Sequence, residues 1–144
     1  PGSDVFLRFN YRESWVAADG SVLSNTFDHD NDPSTEEIPV MQKNWTTYFS
    51  GKDSSGIPYW QNLNDGYLYS SGILKAGKVT KTILESVTLH EDAPDSYSKA
   101  DYKLDFKVEA AIYTGDRSKD LANEKAFWDK TPNAVHEGAV IWSK

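Results

Sequence analysis

Residues 102–113, YKLDFKVEAAIY, alternate apolar and charged side chains for almost their whole length. Tyr102, Leu104, Phe106, Val108, Ala110 and Ile112 fall on one side of an extended chain, and Lys103, Asp105, Lys107 and Glu109 on the other. A period of two fits a strand with one wet face and cannot lie on a helix, whose faces recur every 3.6 residues. VFLRFNYR, residues 5–12, repeats the pattern: Val5, Leu7, Phe9 and Tyr11 turn inward, Arg8, Asn10 and Arg12 outward. Two long strands with apolar faces need further sheet to cover them.

The chain supplies it. IPVMQKNWTTYFSG and IPYWQNLNDGYLYSSGIL are rich in aromatic residues and threonine, and the polar cluster Gly51–Gly56 divides them. Asn64-Asp65-Gly66 signals a hairpin, since Asp-Gly tolerates the positive φ angles of a tight reversal. Lys75-Ala76-Gly77-Lys78 reads as a turn between sheet strands. TKTILESVTL then places Ile83, Val87 and Leu89 on one face before HEDAPDS closes the run as a loop. Only DLANEKAFWDKTP reads helical, with Leu121, Ala122, Lys125 and Trp128 at spacings of three and four and Thr131-Pro132 as its stop. AVIWSK reads as a last strand, and SNTFDHDNDPSTEE, residues 24–37, as an acidic loop.

Several antiparallel strands, one short helix and turn signals at short intervals predict an all-β fold, an antiparallel β-sandwich of jelly-roll-like type. Its 144 residues fit one domain over 4–144, with Pro1–Ser3 read as an expression scar.

Composition narrows the function classes. A net charge of −7 with scattered Lys and Arg argues against a nucleic-acid partner. No cysteine is present, which removes disulfides, thiolate metal sites and cysteine nucleophiles. No run approaches the ~18 apolar residues of a membrane-spanning helix. There is no G-x-S-x-G, no phosphate-cradling glycine loop and no H-E-x-x-H, and with 22 Asp and Glu no carboxylate pair stands out as acid and base. The expectation is a protein that is not an enzyme and takes no cofactor.

Two side-chain groups invite a closer reading. His29, His90 and His136 each stand beside carboxylates, but without zinc-ligand spacing they read as solvated loop residues. Asp28, Asp30 and Asp32 put hard oxygens at alternate positions, as the first half of a calcium loop does. Pro33 occupies the turn position that such a loop gives to Gly, and Pro39 the position of its bidentate Glu, so a plain acidic loop is the default and a calcium loop the alternative. The aromatics Trp15, Trp45, Trp60, Tyr67, Tyr69, Trp128 and Trp142 read first as sandwich core; as a platform for sugar rings they would make a carbohydrate-binding module.

Asn44-Trp45, then DGYLYSSGILKAGKVTKTILESVTL, then YKLDFKVEAAIY and a tryptophan near the C-terminus follow one another in an order that resembles the TasA and camelysin-like family. The likeness runs from Asp4 to Trp142 and is nearest to BsaA-type clostridial members; its most specific part is Asp65–Leu89, with an L-x-x-G-x-x-T turn at Leu74, Gly77 and Thr80. The resemblance implies an exported, extracellular protein of Gram-positive bacteria at the cell surface or in the biofilm matrix. It implies a jelly-roll-like adhesive or fibre subunit whose partners are copies of itself, other matrix components or glycans, joined when a strand of one subunit completes the sheet of the next. Family members carry further β-structure ahead of the segment like DVFLRFNYR, so the resemblance implies one or more missing N-terminal strands, through a trimmed chain or a strand lent by another, and an edge for that exchange beside Val5, Leu7, Phe9 and Tyr11. Camelysin relatives are described as proteases, an activity that the missing zinc motif does not support here.

Overall fold

The computed structural model of the chain describes residues 2–116, 119–120, 128–136 and 139–144. It is all-β and sandwich-like. The strands are β1 (Val5–Val16), β2 (Val22–Leu23), β3 (Thr26–Phe27), β4 (Ile38–Pro39), β5 (Met41–Trp45), β6 (Trp60–Asn62), β7 (Leu68–Ser70), β8 (Leu84–Leu89), β9 (Asp101–Ile112), β10 (Thr131–His136) and β11 (Ala139–Ser143). A four-residue helix, α1 (Thr47–Ser50), and a 3-10 turn at Asp95–Tyr97 interrupt them. The helix expected around Leu121, Ala122 and Lys125 lies outside the described residues. Thr131, expected to end it, opens β10.

The residues group into two compact units, the first taking 1–10, 45–83 and 107–144 and the second 11–44 and 84–106. β1 and β9 therefore contribute residues to both. Length alone supports a single domain and does not show this division.

In the first unit β1 pairs antiparallel with β7 through Arg8↔Tyr69 and Phe9↔Leu68, and β7 pairs with β6. β9 is a further partner of β1. The β6–β7 reversal is the one expected from Asn64-Asp65-Gly66, but the positive φ angles belong to Asn64 (59°) and Gly66 (88°). Asp65 instead accepts the Tyr67 N–H at 3.0 Å, which closes the turn with a side chain. One face of these strands buries Phe6, Tyr69 and Ala111 with Trp128, Val140 and Trp142. The β10–β11 hairpin is stitched to this layer: Gln61 Nε2 donates to the Val140 carbonyl at 2.9 Å, and the Trp142 N–H donates to Gln61 Oε1 at 2.7 Å. On the other face of β1, Phe9 packs edge-on against Trp60 at 4.8 Å between centroids.

The second unit has its own core of Trp15, Phe27, Val40, Met41 and Tyr97. β2 pairs with the end of β1 through Trp15↔Leu23, β3 pairs with β4, and β5 with β8. The Tyr97 hydroxyl donates to the Ser24 carbonyl at 2.6 Å, and Lys43 meets Glu13 at 2.7 Å.

β9 is a strand as expected, but its second half turns its faces over. Phe106, Val108 and Ile112 are 40%, 62% and 56% exposed, while Glu109 is half-buried and Ala111 buried. Tyr102 packs against the core of the second unit, whereas Ala111 belongs to the core of the first and Glu109 on the same side is the counter-ion of the half-buried Arg8, so period two leaves Val108 and Ile112 outward. Val87 and Leu89 of β8, expected inward, are also exposed.

Candidate functional site

The first unit carries a groove of about 380 Å³ on the Leu7 side of β1. Leu7 and Trp60 belong to strands, Tyr48 comes from α1, and Ile73, Val79 and Ile83 come from the chain on either side of the Lys75–Lys78 turn. Each wall has a local cause. α1 is fixed to the opposite segment by the Thr46 N–H on the Ile83 carbonyl (2.9 Å) and the Thr46 hydroxyl on the Thr82 carbonyl (2.5 Å). Gly51 closes the helix, and a Cβ there would stand 2.5 Å from the Thr47 carbonyl oxygen, so no larger residue fits without moving α1.

The opposite wall hangs on Asp4. Its carboxylate accepts the Ala76 N–H at 2.8 Å and pairs with Lys75 at 3.2 Å; the first of these, then the lysine, holds its pKa below the ordinary carboxylate value. Val5 and Leu74 exchange backbone hydrogen bonds at 2.9 Å, and the Lys78 N–H closes the turn on the Lys75 carbonyl at 3.0 Å. Leu74 and Thr80 of the L-x-x-G-x-x-T motif line the groove, and Gly77 between them takes φ 75°. Val79 at the rim is 89% exposed. The lining is mainly aliphatic and aromatic, with Ser70, Thr80 and Lys81 as polar members and the Lys81 ammonium 5.6 Å from the centre of the Tyr48 ring.

Of the residues expected to form a free strand edge, Val5, Leu7 and Phe9 are buried and Tyr11 lies near Phe106 at 5.9 Å between centroids. β1 pairs with β7 at Arg8 and Phe9, bridges Leu74 at Val5 and has β9 as a further partner, and of the four expected residues only Leu7 lines the groove. Asp28, Asp30 and Asp32 each cap their own loop, accepting the backbone N–H two residues on at 3.0–3.1 Å. Among the described residues no three His, Asp or Glu side chains converge as metal ligands. His29 is exposed, His90 Nδ1 accepts the Asp92 N–H, and the side chain of His136 lies outside the described residues. Trp15, Tyr69, Trp128 and Trp142 are core, in line with the packing reading of the aromatics.

Behind the groove strands lies a polar cluster that the alternation pattern does not reveal. Arg8 donates twice to Glu109 Oε2, at 2.7 and 2.9 Å, and once to the Tyr69 hydroxyl at 3.1 Å, with its guanidinium carbon 3.9 Å from the centre of the Tyr67 ring. Tyr69 donates to Asp65 Oδ2 at 2.6 Å. Burial works against the charge on Glu109, but the bonds and charge of Arg8 win and hold its pKa below the usual value. Every strong donor in the cluster is matched, which marks it as a brace for the core.

Burial first, and then its bond to Asp65, push the Tyr69 hydroxyl up to about 12. A group whose pKa is raised by folding contributes stability that is complete below the unfolded value, about 10, and disappears as the folded group ionises. Stability should therefore fall between about pH 10 and 12, and Tyr69→Phe should flatten the fall. Tyr102, also pushed up to about 12 by burial and then Glu13, and Tyr97, raised by burial and then Glu37, contribute to the rest of the fall. Urea midpoints measured across this range would contradict the assignment if both proteins lost stability equally.

Among the described residues no helix is long and apolar enough to cross a membrane. Comparison of the chain with protein families, with curated proteins and with solved structures finds no match.

Proposed function

We propose that this chain is a secreted structural and adhesive subunit of a biofilm matrix or surface fibre, assembling when the groove beside Leu7 takes up an extended segment of another copy. The observation that carries the reading is that groove: an apolar trough floored by a strand residue, walled by the turn motif at Leu74, Gly77 and Thr80, and offering no converging reactive side chains. An inserted segment would fill it with alternate side chains while its backbone hydrogen-bonds to nearby chain, the mode of strand addition. Such assembly needs neither a catalytic residue nor a cofactor.

Val79→Glu tests it at little risk to the fold, because the side chain is 89% exposed. A carboxylate at the rim should weaken self-association by about tenfold, seen in sedimentation equilibrium, since an apolar segment would have to desolvate it. Unchanged association would count against the groove.

A carbohydrate-binding module is the second reading, favoured by the Tyr48, Tyr59 and Trp60 rings beside Ser70, Thr80 and Lys81. Glycan-array binding lost on Tyr48→Ala would place it first.

A further inference from the structure

Charge is sorted along this chain. Between Arg12 and Lys43 stand seven acidic residues and no Lys or Arg; between Asp65 and Glu85 stand Lys75, Lys78 and Lys81 and no Asp or Glu. The basic run belongs to the first unit, where Lys81 and its neighbours Val79 and Thr80 line the groove. The acidic run belongs to the second unit and includes the loop 28–37, every residue of which is exposed.

Both runs lack counter-charge of their own. Lys75 is taken by Asp4, but among the described residues Lys78 has no acidic partner, and the Lys81 ammonium has the Tyr48 ring beside it rather than a carboxylate. Asp28, Asp30 and Asp32 accept N–H groups of their own loop, which leaves their negative charge in place. Among the described residues no Lys or Arg pairs with them, with Glu36 or with Glu37. An acidic loop alone is merely solvated. Here the same chain also holds an apolar groove edged with the opposite charge.

The loop has a shape that suits the groove. Its aspartate bonds, and the Thr35 N–H on the Asp32 carbonyl at 3.0 Å, fold it before any contact, so little freedom is left to lose on docking. Pro33, its one apolar residue, stands in that Asp32–Thr35 turn with its ring exposed. Proline docks well in grooves with aromatic walls, and Tyr48, Tyr59 and Trp60 line this one. Asp32 and Glu36 flank Pro33, as Lys78 and Lys81 flank the rim residues Val79 and Thr80.

We infer that the occupant of the groove is the acidic loop, residues 28–37, of a second copy of this chain, attracted by Lys78 and Lys81 and seated through Pro33. The inference rests on the reading of the groove as the assembly site and names what fills it. The two surfaces are unlike, so each contact leaves a groove on one copy and a loop on the other, and repetition extends the assembly head to tail.

A contact between opposite charges at an exposed rim is screened by salt, so raising salt from about 50 to about 500 mM should weaken self-association by about tenfold. Lys78→Glu with Lys81→Glu should weaken it by about tenfold or more at low salt, and His29→Lys with Glu36→Lys, which spares the aspartates that shape the loop, should do the same. All four positions are exposed. Each double variant keeps one working surface, so sedimentation equilibrium of the two mixed should show a one-to-one pair that grows no further, although neither associates alone. A loop variant that associates like the unaltered chain, or a mixture without the pair, overturns the loop as occupant; weakening by Val79→Glu then leaves the groove to a different segment. Association that Val79→Glu and the lysine pair both leave unchanged, or that never occurs, overturns the groove reading as well.

Discussion

Trp142→Ala should destabilise the chain by about 4–5 kcal/mol, the upper end of what aromatic truncation in a core produces. Trp142 is 3% exposed and joins the two layers of the first unit. Its ring meets Phe6 edge-on at 5.1 Å and lies 5.4 Å from Tyr69 and 5.6 Å from Trp128. Its Nε1 donates to the Ser70 carbonyl at 2.7 Å. Alanine leaves a cavity between three rings and withdraws a donor from a carbonyl that has little access to water, and the two losses add. Trp142→Phe keeps most of the packing and should cost less than half as much. Urea unfolding with an unchanged slope would measure both; a loss below about 1.5 kcal/mol for the alanine variant would mean that the hairpin is not part of this core.

Arg8→Ala should cost about 2–4 kcal/mol, because it takes two bonds from the half-buried Glu109, leaving it Tyr67 and the exposed Lys107, and unseats two tyrosine rings. The ion pair itself is a weaker stabiliser than that figure suggests. Replacing both partners, as in Arg8→Met with Glu109→Leu, should recover more than half of the loss, since no unpaired charge then remains. The double variant unfolding as readily as Arg8→Ala would show that guanidinium packing on Tyr67 and Trp128, rather than charge compensation, holds this region.

These expectations rest on contacts whose visibility in the sequence varies. Period-two alternation placed β9 within a residue at each end and the start of β1, though β1 runs on past Arg12 to Val16, and Asn64–Gly66 located the β6–β7 hairpin. Alternation separates two faces without saying which is covered. For β9 the answer changes along the strand with the core each half meets, and Arg8, which reads as an outward charge, is in fact the partner of Glu109. α1 escaped notice because four residues are too few to show a helical period. The groove draws single residues from well-separated segments, and only the Leu74, Gly77 and Thr80 spacing hinted at its turn.

If the chain works through its margins and trough, rather than through reactive side chains, then association should follow concentration alone. Sedimentation velocity from micromolar to millimolar protein, with negative-stain electron microscopy of the most concentrated sample, asks this directly. The account predicts linear assemblies that lengthen as concentration rises. A single monomeric boundary at every concentration, with no elongated particles, would contradict it.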